Sequence, residues 1–195
     1  MSAQTTANSS ADSMAPPPGA RREAEQMVPV KVHLVREIDA RKDQPGGRFE
    51  AQVDDTVHLK TGTELPRGTV LVGTIVTDQM QDQGLSRLAL RFTQAKLKDG
   101  QVIPIEATIA GITGPAYSAG YTEDSSGPPS WSPGTLQVDE LGVVKDVDLH
   151  SRIGGANSGV LVSTTKDNVK LNSGSRMTLA IAAENTNQAT NNPGS

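Results

Sequence analysis

The stretch TGTELPRGTVLVGTIV, Thr61–Val76, has the apolar content of a β-strand but is interrupted by Pro66 and by Gly62, Gly68 and Gly73. The interruption recurs. Leu65-Pro66-Arg67-Gly68-Thr69-Val70-Leu71 and Leu171-Asn172-Ser173-Gly174-Ser175-Arg176-Met177 share one form: apolar, two turn residues, Gly, hydroxyl, any residue, apolar. Leu59-Lys60-Thr61-Gly62-Thr63-Glu64-Leu65 is a third copy immediately upstream. In each unit the Gly permits a reversed or bulged backbone and the Thr or Ser begins a new strand, which predicts a corner where the chain enters a sheet. Pro66 fits such a corner because its missing N–H has no ladder partner to lose. Gly73 falls inside the following strand, where the absent side chain allows close approach or a sharp bend. Strands bent at glycines are those of a barrel, so the expectation is an all-β fold, a small closed or partly open β-barrel.

The flanking sequence agrees. Val30, Val32 and Leu34 alternate with other residues, as do Phe49, Ala51 and Val53, the pattern of strands with one buried face. Leu88, Leu90 and Phe92 alternate likewise, Lys98-Asp99-Gly100-Gln101 supplies turn chemistry, and Ile103, Ile105, Ala107 and Ile109 resume, predicting a long antiparallel hairpin. Leu141 to Arg152 is expected to include one helical turn. Gly159–Ser163 and Val169–Ala182 return to strand patterning around the turn Lys166-Asp167-Asn168. The barrel domain is therefore placed at 28–182, with a long Gly-, Pro- and Ser-rich loop at 111–134. Residues 1–27 read as a disordered tail or linker, with a short helical turn at Arg21 to Met27 that Pro29 ends, and 183–195 as a disordered polar tail.

Composition limits the core and the chemistry. Hydrophobic residues are 35% of the chain and aromatics 3%, beside 19 glycines and 12 prolines, which leaves one modest core with much loop. A net charge of −4 without a basic stripe gives nucleic acid no electrostatic footprint. The absence of cysteine excludes disulfides, thiolate metal sites and cysteine nucleophiles. No run approaches the ~18 apolar residues of a membrane helix, and Met1 to Met27 has no apolar core of a signal peptide. His33, His58 and His150 have no second ligand at zinc spacing, and His33 reads as a solvent-side strand residue. Asp139, Glu140, Asp146 and Asp148 lack the order of a calcium loop and read as a solvated acidic face. Ser158 is not in a nucleophile elbow, and Gly154–Gly159 lacks the ending of a phosphate loop. A non-enzyme without cofactor or metal is expected.

Four segments in order, Pro45–Val53, Leu65–Gly73, Ser86–Phe92 and Leu97–Ile105, together with Gly174–Ile181, resemble the periplasmic β-barrel domain of conjugal-transfer and type IV secretion scaffold proteins, the TrbI-like family. The resemblance spans roughly Val28 to Ala182. It implies an exported, periplasmic or envelope-associated scaffold whose partners are other envelope proteins or copies of itself. That family's apolar projection between barrel strands corresponds here to the polar loop from Gly111 to Gly134.

The loop also carries Tyr117, Tyr121 and Trp131, leaving only Phe49 and Phe92 for the barrel. Loop aromatics are frequent binding anchors, and they equally serve to plug a barrel end. The alternative function is a glycan- or small-ligand-binding module in which these three rings stack on sugar faces, with Asp124 and Ser125 supplying hydrogen bonds.

Overall fold

The computed structural model of the chain describes residues 24–77, 85–114 and 137–184. A helical turn at residues 24–26 precedes β1 (Val28–Leu34), β2 (Ile38–Asp39), β3 (Arg48–Val53), β4 (Val57–His58), β5 (Glu64–Leu65) and β6 (Val70–Thr77). Then follow β7 (Arg87–Lys96), β8 (Val102–Thr113), β9 (Gln137–Val144), β10 (Val147–Arg152), β11 (Gly159–Ser163), β12 (Lys170–Leu171) and β13 (Arg176–Ala183). Most of the two expected tails and of the expected long loop lies outside the described residues.

Six strands close a barrel in the order β6-β3-β1-β13-β8-β7, with β6 pairing back onto β7 and every pair antiparallel. Period two decides which side chains fill it. Val30, Val32 and Leu34 of β1, Phe49, Ala51 and Val53 of β3, and Leu71 and Ile75 of β6 are all buried. No helix among the described residues is long and apolar enough to cross a membrane.

Two of the three glycine units are corners with one shared hydrogen-bonding pattern. The Gly68 N–H donates to Val53 O at 2.8 Å while the Val53 N–H donates to Thr69 O at 2.9 Å. In the second corner the Gly174 N–H donates to Leu34 O at 2.8 Å and the Leu34 N–H to Ser175 O at 2.9 Å. Each corner thus caps the end of a neighbouring strand, β3 or β1, and then starts β6 or β13. Gly68 and Gly174 sit at φ +84° and +80°, a left-handed conformation that a β-branched residue adopts only with strain. Gly62 differs. It also has positive φ, but its N–H donates to Leu59 O, and the Leu59 N–H donates to Thr63 O, which is a local hairpin turn joining β4 to β5. Gly100 repeats that turn between β7 and β8, with its N–H on Leu97 O and the Leu97 N–H on Gln101 O. The third sequence copy is therefore a turn of the Gly100 kind, because both ends of its hairpin are local in sequence.

Gly73 answers to packing instead. It lies opposite Phe49 of β3 and Phe92 of β7, and the two rings meet edge to face over it with centroids 5.0 Å apart. A Cβ at Gly73 would fall 2.3 Å from the Phe49 ring and 2.9 Å from the Arg91 carbonyl oxygen.

Three expectations need correction. The β7–β8 strands are long and antiparallel as expected, but they pair only from Gln94↔Pro104 to Lys96↔Val102. Pro104 has no N–H, and beyond it β8 leaves β7 and completes its ladder on β13. Leu141–Arg152 contains no helical turn; it belongs to the β9–β10 hairpin, turned at Lys145-Asp146. Finally, Ala24 and Met27, assigned to a tail, are buried with Ile153, Ala180 and Ala182, because that outer stretch of β13 is apolar and needs cover.

A separate two-stranded ribbon pairs β2 with β12, bringing Ile38 and Leu171 into the core, and its anchor is the buried Asp39. Burial works against its charge. The Arg41 N–H at 2.9 Å, the Asn168 amide at 2.5 Å and the Lys42 ammonium outweigh burial and hold the carboxyl below its ordinary value.

The two roles of glycine separate experimentally. Gly68→Val and Gly174→Val are each expected to lower stability by about 1–3 kcal/mol through backbone strain. Gly73→Ala is expected to cost a similar amount, about 1–3 kcal/mol, through overpacking. In a Phe49→Leu background the Gly73→Ala cost should shrink while the Gly68→Val cost stays the same, as read from urea melts of the single and paired variants.

Candidate functional site

Where β8 departs, β7 has an open edge, and the chain uses it. β11 pairs with β7 from Gly159↔Leu90 to Val162↔Arg87, β10 adds to β11, and β9 adds to β10, so a three-stranded extension grows from the barrel wall. Ser158 sits at the fork. Its N–H donates to Leu90 O at 2.8 Å, its carbonyl accepts from the Ile109 N–H at 2.7 Å, and its Oγ accepts from the Phe92 N–H at 2.9 Å. The residue considered as a nucleophile is thus buried and bonds both diverging strands. The Ser151 hydroxyl of β10 donates to Ile109 O, tying the extension to β8 a second time.

Each histidine faces a carboxylate. His33 Nδ1 lies 2.5 Å from Asp54, His58 Nε2 lies 2.9 Å from Glu64, and His150 Nδ1 lies 2.8 Å from Asp139. His33 lies on β1 and Asp54 just follows the neighbouring strand β3, while His58↔Glu64 and His150↔Asp139 are directly opposed pairs. The His150 hydrogen bond, with help from Gln137, holds the Asp139 carboxyl below its ordinary value. Among the described residues no group of three or more His, Asp or Glu could hold a metal ion.

β9 is the last strand of the extension, and among the described residues it pairs on one side only. Its register with β10 slips between Glu140↔Leu149 and Val144↔Val147, so extra residues bulge out on β9. Gly142 at φ +63° makes that bulge, and its N–H donates to Asp148 at 2.8 Å. Leu141 at the bulge is 79% exposed. Glu140, opposite the buried Leu149, occupies a position on the inward face, and burial raises its carboxyl above the ordinary value.

Between β9 and the barrel wall lies a cleft of about 720 Å³. Glu140–Val143 form one side; Gly111–Thr113 of β8, Arg176–Thr178 of β13, Lys31 and Asp54 form the other. Lys31 stands opposite Thr178, and Arg176 stands between His33 and Thr113 in the strand register. Among the described residues neither Lys31 nor Arg176 makes an ion pair, and neither does Glu140. The barrel wall of the cleft thus carries Lys31 and Arg176 together with Asp54, which is bonded to His33, and the β9 wall carries Glu140.

Of the four glycines expected as corners, Gly68 and Gly174 form corners, whereas Gly62 is a local hairpin turn and Gly73 a packing contact within β6. Tyr117, Tyr121 and Trp131, with Asp124 and Ser125, lie outside the described residues. The acidic run divides: Asp139 serves His150, Asp148 serves Gly142, and Glu140 faces the cleft. Sequence reading missed the extension. Its signal was present in β10, where Val147, Leu149 and Ser151 alternate with Asp148, His150 and Arg152.

No family model and no curated protein matches the chain. Among solved structures it is similar to ComB10 of the Com type IV secretion system of Helicobacter pylori, with 14% identity and a TM-score of 0.40 over 80% of this chain and 85% of that one. The barrel assignment rests on the strand pairing above and not on that likeness.

Glu140 gives a pH test with a defined sign. Its folded pKa is raised, so the penalty for holding it charged is complete above that pKa and vanishes below the unfolded value of about 4.3. Glu140→Gln is expected to raise the melting temperature at pH 7 and to lose that advantage in thermal melts below about pH 4.

Proposed function

We propose that the chain is a non-catalytic assembly module of the cell envelope, a barrel that joins other envelope proteins or copies of itself through the β9 side of its extension. The observation that carries this reading is β9 itself: a strand with one ladder partner among the described residues, ending in a bulge fixed by Asp148 that leaves Leu141 79% exposed. Open strand edges are ready templates for another chain. Two further observations support a structural role. Ser158 is committed to the β7–β8 fork and the histidines to carboxylates, so the groups best suited to chemistry already serve cross-strand bonds. The sequence resemblance to conjugal-transfer and type IV secretion scaffolds, a TrbI-like barrel, supplies the setting: an exported protein at the envelope.

A photoreactive amino acid at position 141 in the protein expressed in its native cells tests this. Adducts to envelope proteins or to a second copy are expected at 141, with far fewer when the same residue replaces Val102, which is 50% exposed on β8. Equal labelling at the two positions, or none at 141, would remove β9 as an assembly surface.

A further inference from the structure

Period two sends Met27 out of the barrel. Val28 and Ile181 stand opposite one another against the inner core, so the residues next to them, Met27 and Ala182, belong to the outer face. That face is built of small side chains, with Ala180 of β13 standing opposite Thr108 of β8. Ala24 and Met27 close over it from the β1 side, joined in one turn by the Met27 N–H on the Ala24 carbonyl. From the β8 side comes Ile153, in the turn between β10 and β11 that the Gly155 N–H closes on Arg152 O. Its neighbours Arg152, Gly154, Gly155 and Ala156 are all exposed, yet Ile153 is buried. A hairpin tip of this kind keeps an isoleucine out of water only because something covers it, and Ala24 and Met27 share that cluster.

The turn that Ile153 occupies is fastened at one point of β8. Ser151, two residues before it, donates its hydroxyl to the Ile109 carbonyl, and Ser158, five residues after it, accepts from the Ile109 N–H. Ile153 therefore packs down the loop that runs between these two bonds, and bonds kept from water are the ones that hold. The five side chains of the cluster are separate from the barrel core, and three of them are alanines. So little shared apolar surface can part without opening the barrel. The ladder of β1 on β13 starts only at Val28, and the turn ahead of it is tied by Lys60 Nζ donating to the exposed Glu25 carbonyl.

We infer that residues 24–27 are a latch: they hold the β10–β11 turn on the barrel wall through Ile153, and displacing the chain that enters β1 loosens the β9–β11 extension while the barrel stays closed. This coupling is internal to the chain and stands whether or not β9 meets a partner.

Amide hydrogen exchange of the full chain, resolved by residue, tests it. Met27→Gln is expected to speed exchange of the Ile109 and Ser158 amides at least about 10-fold, while amides of the remote β3–β6 ladder keep their rates. Coupling is reciprocal, so Ile153→Ala should free Met27. Dilute hydrogen peroxide reads this by converting an exposed thioether to sulfoxide, and Met177 in the barrel core is the reference within the same chain. Met27 oxidation should rise at least about 5-fold in Ile153→Ala with Met177 unchanged. The double variant should exchange at Ile109 no faster than the faster single one, since both changes undo one cluster. Where Met27→Gln does not fold, the Ile153→Ala arm decides. Unchanged exchange at Ile109 and Ser158, an equal rise in every ladder, or Met27 oxidation indifferent to Ile153 would mean that the turn only covers β13, and the latch falls.

Discussion

The barrel depends on one steric constraint, the meeting of Phe49 and Phe92 over Gly73. These are the only phenylalanines in the chain, and they come from strands on either side of β6. Closure requires β6 to pair with β3 on one edge and β7 on the other, and its ladder to β7 slips between Val72 and Gly73. The extra residue is Thr93 of β7, and such a bulge increases the local twist and bends β7 around the core. The absent Cβ gives the rings the space into which the bend turns them, so curvature and core packing are settled at the same residue. An aromatic pair is worth roughly 0.5–1.5 kcal/mol beyond its area. In a core with so few aromatics, that is a substantial share of the specific packing energy.

The extension follows from a second backbone constraint. β7 and β8 separate just past Pro104, and each then needs new partners for its backbone groups. β8 keeps β13 on its other edge, while the opened side is closed by Ser158, Ser151 and β11. A buried serine suits this fork because one small residue offers a hydroxyl, an N–H and a carbonyl to groups that no ladder reaches. The cleft is the consequence: β9 and β10 follow β11 off the β7 edge and pack back toward β8, leaving a space lined by Glu140–Val143 on one side and Gly111–Thr113 on the other.

How much of this could be read from the chain depends on whether the cause is local. The corners at Gly68 and Gly174 were legible, because an L-residue's sterics demand glycine at positive φ and the hydroxyl after it marks the strand start. So were the inward faces of β1 and β3, since period two is a local pattern. The difference between the Gly62 turn and the two corners was not, for it lies in which distant strand end accepts the Gly N–H. The reading of the β9–β10 region as partly helical failed for a related reason. A bulge at Gly142 breaks the alternation, and the pairing that defines β9 is supplied by β10 from across a turn. The cleft was invisible because Lys31, Gly111, Glu140 and Arg176 are far apart in sequence and only the closed barrel brings them together.

An open edge is a hazard as well as an opportunity, and β9 has features of both. Proteins blunt exposed edges with bulges, charges and short length, which prevents indiscriminate sheet extension. The Gly142 bulge, held by Asp148, removes the far part of β9 from regular pairing, and Asp139 charges the near part while staying locked to His150. An apolar strand seeking any sheet would have to desolvate Glu140, Lys31 and Arg176 without compensating them, a cost that disfavours it. Bulge, charge and half-buried carboxylate thus act together to protect the edge against indiscriminate pairing.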